Sequence, residues 1–519
     1  MRGVVSCRFA IRTCLGLLLL ATPAAAADFD LILRGGRVVD GTGNPAQFAD
    51  VAIREGRIAA LGRVTGTAAR ELDAHGCVIA PGFIDVHTHA DSLAEQPRAE
   101  NFVRMGVTTV IAGNCGSSAV DLAAWFRAIE TTGVSVNAGV LVGQGSVRLQ
   151  VMGGSFRRPP TPEELDRMRA LVEEGMQAGA LGLSTGLIYL PGVFSPTEEL
   201  IELARVVGRH DGVYATHMRS EGTGILEALA EAFRIGREAG VRVQISHIKL
   251  SGNAAWGRTQ EVLAAFEQAR RTGLDVTRDQ YVYTASSTGL SQLVPQEFRE
   301  GGGLKAVLAD PARKAELVAE MRRRLESSAR PDYRYAVIAD FPADRSLNGL
   351  NLAEAPRQRR GSGTLEDQLE AGLELVAARR GAGVFHGMSE EDLRGFAAHP
   401  HTMFASDSGV RVFGEGVPHP RGYGNAARVL ARYVRELGLL TLEDAVRRMT
   451  TLPAATFRIA DRGQLRPGAW ADVVVFDPAQ VQDHANFAAP HQYAAGFRAV
   501  LANGVPVVGL QETPFPGTN

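Results

Sequence analysis

Two histidines that follow a short apolar run are the first residues in this chain whose types and spacing suit metal chemistry. Residues 80–91 read APGFIDVHTHAD, so His87 and His89 stand two positions apart at the end of the run. Alternate side chains of a β-strand share a face, so both imidazoles are expected to point the same way. Imidazole is a common ligand for zinc and similar ions, and the pair therefore predicts half of a metal site. An isolated pair of this kind is more often two histidines without a metal, so the prediction depends on whether the chain supplies further ligands.

Further ligand types recur where later strand patterns end. Cys115 stands 28 positions after His87, His217 and His247 are 30 positions apart, and Asp407 ends the last strand pattern. A strand–helix unit takes about 30 residues, and the carboxyl ends of parallel barrel strands gather at one mouth. These residues form a zinc-type ligand set, and we predict that they converge on one metal centre. Its members are His87, His89, Cys115, His217, His247 and Asp407.

Alternating strands and helices must position these residues. Strand patterns occupy 84–90, 107–116, 135–145, 180–189, 213–219, 241–251, 274–285 and 402–409, with helical patterns between most of them. This alternation predicts an α/β protein with a (β/α)8 barrel of the TIM type over residues 83–458. The gap from Asp279 to Asp407 exceeds one strand–helix unit, so we predict an insertion at 290–385, after the seventh strand. It is expected to be either a lid over the mouth or an exposed decoration.

Both ends of the chain differ from the middle. Short strand patterns with glycine-bearing turns fill 31–62 and return at 463–478 and 497–508. We therefore predict that 28–82 and 459–519 pair into one small β-sandwich domain. Residues 1–27 combine arginines, a short apolar segment and a run of alanines, which is typical of a signal peptide. The mature protein is expected to be exported, to a bacterial periplasm, and the apolar run is too short for a membrane span.

The composition limits the expected class of partner and the expected state of the cysteine thiols. A hydrophobic content of 45%, a charged content of 22% and a net charge of −2 are those of an ordinary globular protein. The charge balance offers no basic face for nucleic acid, so the expected partner is a small molecule. Removing the signal leaves Cys77 and Cys115. We expect Cys115 to bind metal as a thiolate and Cys77 to be a buried free thiol, without a disulfide between them.

The order of several segments resembles the D-aminoacylases, the N-acyl-D-amino-acid deacylases of the amidohydrolase superfamily. Besides APGFIDVHTHAD, these segments are GNCG, GLSTGLIY, THMRSE, SHIKLSG, DQYVYTASST, SDSG, HPRGYG and RRMTTLPAATF, and they span nearly the whole mature chain. The cysteine after the second strand is the most specific feature, because other superfamily branches place a carbamylated lysine or a glutamate there. The resemblance implies a zinc-dependent hydrolase that converts N-acyl-D-amino acids into D-amino acids and carboxylates.

The resemblance also implies roles for the metal ligands. One zinc ion is expected to be bound tightly and a second metal ion more weakly, and Asp407 is expected to be the catalytic acid and base. The ligands implied for the tight ion are Cys115, His217 and His247, and those for the weaker ion are His87, His89 and Asp407.

Substrate recognition is less fully determined by the resemblance. It implies that Lys249 binds the substrate's α-carboxylate with help from Tyr281 or Tyr283, of which Tyr281 ranks first. Relatives of this kind differ in the side chain they prefer, and Arg411 either pairs with an acidic substrate or lies at the surface. A cyclic-amide hydrolase of the hydantoinase or dihydroorotase kind is the alternative function. The oligomeric state stays open.

Overall fold

Eight parallel strands close into a barrel in the computed structural model, which describes residues 27–378 and 381–509. Each strand pairs with the next, and Ser408 pairs with Thr88 to close the ring. The predicted (β/α)8 barrel is therefore confirmed. In chain order the strands are Phe83–Asp85 with Thr88–His89, Val107–Ala112, Asn137–Val140 with Val142–Gly143, Gly182–Gly186, Val213–His217, Arg242–Ile245, Val276–Gln280, and Thr402–Phe404 with Ser408–Gly409.

Helices cover the outside of the barrel, and the amphipathic ones bury an apolar stripe against the strands. In Ile225–Ala239, for example, Leu229 and Phe233 are both buried. Among the described residues, no helix combines the length and apolarity that a membrane crossing requires. The helices around the barrel are Glu100–Val103, Leu122–Thr132, Gln144–Met152, Pro162–Gln177, Thr197–Arg209, Ile225–Ala239, Thr259–Arg271, Glu390–Ala398, Arg421–Arg428, the π-helix Val429–Glu436, Leu442–Met449 and Thr451–Thr456.

The two ends of the described chain share one eight-stranded sheet beside the barrel. The N-terminal strand Val78–Pro81 pairs antiparallel with the C-terminal strand Val473–Phe476, so the ends form one sheet-rich domain. Cys77 is buried in its apolar core as a free thiol. The strands are Phe29–Val38, Gln47–Arg54, Arg57–Gly62, Ala68–Asp73, Val78–Pro81, Val473–Phe476, Phe497–Ala502 and Val505–Val508. Residues 1–26, which hold nearly all of the predicted signal peptide, lie outside the described part.

A separate unit follows the seventh barrel strand and has its own apolar core. It contains an antiparallel sheet of Ala285–Gly289, Ala382–His386 and Ala336–Asp340. Its first strand precedes the predicted start at 290, because the sequence ASSTG carries no apolar alternation to mark a strand. This strand runs along the barrel mouth, where Ser287 and Thr288 line the cavities described below. The helices of the unit are Leu304–Ala309, Pro311–Ser327, Glu354–Arg360 and Leu365–Ala377.

Candidate metal centre

The first and last barrel strands bring two imidazoles to one carboxylate. Since Thr88 pairs with Ser408, the residues beside them meet across the seam of the barrel. Asp407 Oδ1 lies 3.1 Å from His89 Nε2 and 3.5 Å from His87 Nε2. The sequence predicted that His87 and His89 share one strand face, and in the structure both imidazoles lie beside the Asp407 carboxylate.

The thiol of Cys115 lies among three imidazole nitrogens, one of which is the His87 Nε2 that also faces Asp407. Its Sγ is 3.4 Å from His87 Nε2, 3.6 Å from His247 Nε2 and 3.8 Å from His217 Nδ1. Donors around a tetrahedral zinc ion, with bonds of about 2.0–2.3 Å, stand about 3.3–3.8 Å apart. The donor set therefore fits a transition-metal ion in both chemistry and spacing. The structure brings together every residue of the predicted ligand set.

Three of these residues have a backbone conformation that is rare for residues with a side chain. Cys115, His247 and Asp407 have φ angles of 53°, 36° and 50°. Left-handed conformations of this kind cost about 1–3 kcal/mol each and persist where the surroundings fix them. The strand ends also approach one another closely, since a Cβ on Gly186 would lie 2.1 Å from the Cys115 carbonyl oxygen. Three of the ten described non-glycine residues with positive φ are therefore donors of this centre.

The electrostatics of the centre favour the charged forms of its two acids. Burial alone raises the pKa of the Cys115 thiol, but His87 and hydrogen bonds from His217 and His247 hold that pKa well below its ordinary value. Burial likewise opposes ionisation of Asp407, yet the Arg421 guanidinium and nearby imidazoles keep its pKa well below the usual range. A thiolate and a carboxylate are the protonation states that bind metal.

Two carboxylates behind the ligands were not assigned a role from the sequence. Glu221 Oε1 lies 2.9 Å from His247 Nδ1 and forms a salt bridge with Lys249. Asp279 accepts a hydrogen bond from the His247 backbone N–H at 2.9 Å, and its Oδ2 is 3.4 Å from His87 Nδ1. Such partners orient imidazoles toward a metal ion. Glu221 ends the segment THMRSE and Asp279 begins the segment DQYVY, and these segments were the sequence signal that could have identified the two carboxylates.

The residues predicted to bind substrate occupy different places. Lys249 is buried, with Nζ 2.8 Å from His247 Nδ1, and it lines a cavity at the mouth. The Tyr281 ring centroid lies 5.9 Å from Lys249 Nζ and 4.3 Å from the Arg421 guanidinium carbon, and the Tyr281 hydroxyl donates to Met388 Sδ at 3.6 Å. Tyr283 donates its hydroxyl to Asp483 at 3.3 Å. Tyr281 therefore packs beside two cations of the site, and the hydroxyls of both tyrosines have partners outside the set of metal-binding donors.

Two cavities meet at Asp407, and both are lined by Tyr189, Ser287 and Thr288. The larger has a volume of about 530 Å³ and contains Arg421, which the sequence analysis missed, and Arg411. The smaller has a volume of about 240 Å³ and contains Lys249. The arrangement suits a small substrate whose reacting bond lies at Asp407, with a substituent on either side.

Fold and site together define a barrel hydrolase with a metal centre at the carboxyl ends of its strands. A model of the amidohydrolase family matches residues 70–508. A D-aminoacylase of Alcaligenes xylosoxydans xylosoxydans is 39% identical over 515 residues, which cover 94% of this chain and 96% of the relative. The N-acyl-D-glutamate deacylase of the same organism is 36% identical and covers 92% and 93%.

A solved structure supports the same family assignment. The N-acyl-D-glutamate deacylase of Bordetella bronchiseptica, complexed with zinc and a phosphonate inhibitor, superposes with a TM-score of 0.81 at 34% identity and covers 94% of this chain and 98% of that one. The chain belongs to the amidohydrolase family, in the branch of the D-aminoacylases and N-acyl-D-amino-acid deacylases. A D-hydantoinase structure is only 14% identical with a TM-score of 0.54, so that likeness shows the fold alone.

Proposed function

We propose that this protein is a zinc-dependent hydrolase that cleaves the amide bond of N-acyl-D-amino acids, giving a D-amino acid and a carboxylate. The observation that carries the proposal is the convergence of the Cys115 thiol with three imidazole nitrogens, next to an ionised Asp407 at the junction of two cavities. Membership of a branch that contains D-aminoacylases supports the choice of substrate.

The resemblance to the D-aminoacylases supports one main metal position and a second one beside it. The donors that lie close together in the structure include His87 with Cys115 and His247, and His87 with His89 and Asp407. Cys115, His217 and His247 would hold a tightly bound zinc ion, with His247 oriented by Glu221. The weaker position would use His87, His89 and Asp407. Zinc supplies Lewis acidity, which polarises an amide carbonyl and lowers the pKa of water from 15.7 to about 7.

Asp407 is placed to move the proton that amide hydrolysis requires. Its carboxylate is buried and is held ionised by Arg421, so it accepts hydrogen bonds and can take a proton. We propose that it takes the proton of the attacking water and returns it to the departing amine nitrogen. Because Oδ2 is ion-paired with Arg421 and Oδ1 faces the two imidazoles, the two oxygens of the carboxylate have different partners and its orientation is restricted.

Cationic groups around Tyr281 supply a binding place for the substrate's α-carboxylate. Lys249 Nζ lies 5.9 Å and the Arg421 guanidinium carbon 4.3 Å from the centroid of the Tyr281 ring, Lys249 lines the smaller cavity and Arg421 lines the larger one. We propose that these two cations bind the α-carboxylate and that the Tyr281 ring packs beside them, since its hydroxyl donates to Met388 Sδ at 3.6 Å. A carboxylate fixed in this way determines which face of the α-carbon meets the metal centre, and the preference for D-substrates follows from that geometry.

Asp407→Asn tests the proposal, because it removes the acceptor of the proton while keeping the size of the side chain. It also removes the charge partner of Arg421 and a ligand of the weaker metal position, so the readout for metal is the tightly bound zinc alone. The variant is expected to retain tightly bound zinc in elemental analysis but to lose turnover of N-acetyl-D-methionine. Asp483→Asn is the matched control, since Asp483 is also buried and paired with an arginine, Arg428. Near-normal turnover by Asp407→Asn would remove the assigned role.

The cyclic-amide alternative is tested with the same enzyme. Hydantoins and dihydroorotate are assayed beside N-acetyl-D- and N-acetyl-L-amino acids, with zinc content measured on each sample. Hydrolysis of the cyclic compounds in place of the linear D-compounds would replace our proposal with the alternative.

We also propose that the protein is exported to the periplasm. The support is the order of charged, apolar and small residues within 1–27. Fractionation of cells that express the full chain, with mass determination of the mature N-terminus, tests this proposal. An intact chain that stays in the cytoplasm would contradict it.

A further inference from the structure

The smaller cavity at the metal centre has one wall from the barrel and another from the insertion. With a volume of about 240 Å³ it has the room of roughly eight water molecules, which suits one substituent of a substrate. The barrel side includes Asp407 and Lys249. The insertion side includes Leu293, Arg330, Tyr335 and Phe385.

Arg330 is fixed in this wall by two neighbours. Its guanidinium carbon lies 3.7 Å from the centroid of the Tyr335 ring, which is the stacking that arginine prefers. On another side it packs on Gly387, where an added Cβ would lie 2.1 Å from Arg330 Nη2. Gly387 is itself anchored, because its carbonyl accepts hydrogen bonds from Gly252 N at 2.9 Å and Trp256 Nε1 at 3.1 Å. The guanidinium is therefore oriented before any ligand binds.

Arg330 differs from Lys249 and Arg421, because its charge is not neutralised by a described carboxylate. Lys249 is paired with Glu221, and Arg421 is paired with Asp407. Arg330 makes no ion pair with any described carboxylate within 4.0 Å. A guanidinium presents a planar fork of donors that matches a carboxylate, and it attracts one most strongly in a partly enclosed cavity.

We propose that Arg330 binds a second carboxylate of the substrate, distinct from the α-carboxylate, and so makes the enzyme selective for dianionic N-acyl-D-amino acids. This inference rests on the proposed function. The second carboxylate is carried either by the amino-acid side chain, as in N-acetyl-D-glutamate, or by the acyl group, as in an N-succinyl substrate. Arg411 is less suited to this role, because it lies in the larger cavity beside the cationic Arg421 and already donates to Ser408 at 3.2 Å.

The test compares substrates that differ in one charge. For the full-length zinc enzyme, kcat/KM is measured for N-acetyl-D-glutamate against N-acetyl-D-glutamine, and for N-succinyl-D-alanine against N-acetyl-D-alanine. The wild type is expected to prefer the carboxylate in one of the two pairs, which identifies its source. Arg330→Met is expected to reduce that preference about 10- to 100-fold, the usual effect of losing a charged hydrogen bond. Gly387→Ala, which displaces the guanidinium without removing it, is expected to reduce the preference in the same direction.

Arg334→Met is the matched control, because Arg334 lies in the same unit but is exposed and paired with Asp332. It should leave the preference at the wild-type value. The inference is overturned if the wild type hydrolyses D-substrates with no preference for the added carboxylate. It is also overturned if Arg330→Met leaves the preference intact or if Arg411→Met abolishes it instead. None of these outcomes affects the proposed function. Failure to hydrolyse any N-acyl-D-amino acid overturns the proposed function. Calorimetric binding of D-glutamate against D-glutamine, in wild type and Arg330→Met, then decides the role of Arg330 independently of turnover.

Discussion

The carboxylate of Asp407 is paired with the guanidinium of Arg421, with Oδ2 and Nη1 2.7 Å apart and both side chains almost fully buried. The two residues come from the end of the eighth barrel strand and from the helix that follows it. The pair gives Asp407 a fixed orientation and opposes the rise in pKa that burial would otherwise cause. One oxygen is thereby left to face His87 and His89.

Removing the charge of Arg421 should shift the acid side of the pH profile. Asp407 must be ionised to take a proton, and Arg421 lowers its pKa, so the acid limb of the wild-type profile is expected to lie at low pH. Arg421→Gln is expected to raise the pKa of Asp407 and to move the acid limb of kcat/KM to higher pH, with a higher KM as well. Arg421→Lys, which keeps the charge, should shift the limb much less. Identical acid limbs in wild type and Arg421→Gln would contradict the pairing.

The two thiols of the described chain should differ in their effect on metal content. Cys115 is surrounded by imidazole nitrogens, whereas Cys77 lies in the core of the sheet-rich domain. Cys115→Ser removes the thiolate and is expected to reduce bound zinc to a small fraction of the wild-type amount, with loss of activity. Cys77→Ser makes the same chemical change away from the site and should leave the zinc content unchanged. Elemental analysis of the purified proteins checks both, and full zinc occupancy in Cys115→Ser would contradict the ligand assignment.

The convergence of the proposed metal ligands could be predicted from the sequence because their positions follow from the barrel itself. Strand ends recur once per strand–helix unit, so residue type and spacing were enough to place Cys115, His217 and His247 at one mouth. Arg421 and Arg330 could not be placed in this way. They reach the cavities from a helix after the last strand and from the insertion, and their approach depends on packing between distant segments.

The choice between Tyr281 and Tyr283 was also beyond the sequence. Both follow the seventh strand, Val276–Gln280, where the regular alternation of faces has ended. Their directions are set by partners far along the chain, since Tyr283 donates to Asp483 and Tyr281 packs against Arg421. Likewise, the strand Ala285–Gly289 lacks apolar alternation, and its partner Ala382–His386 is remote.

Glu221 should matter for zinc affinity without being a ligand of the proposed tight site. Its Oε1 lies 2.9 Å from His247 Nδ1, and the Nε2 atom of that ring lies 3.6 Å from Cys115 Sγ. Glu221→Gln is expected to weaken zinc binding about 10- to 100-fold, the usual effect of losing a partner that orients a ligand. Competition with a chelator measures the affinity. An unchanged affinity would show that Glu221 does not orient His247.

A buried ion pair outside the centre offers a test of what stabilises the barrel. Arg148 and Glu199 form a salt bridge in which both side chains are at most 1% exposed, and Gln144 donates to the same carboxylate at 2.8 Å. Arg148→Met leaves the Glu199 charge buried without its partner, so we expect the free energy of unfolding to fall by about 3–5 kcal/mol. The double variant Arg148→Met with Glu199→Met replaces both charges with apolar groups and should regain much of that loss. Urea unfolding of the zinc-loaded proteins measures both effects. Equal losses in the single and double variants would mean that lost packing, and not the unpaired charge, is responsible.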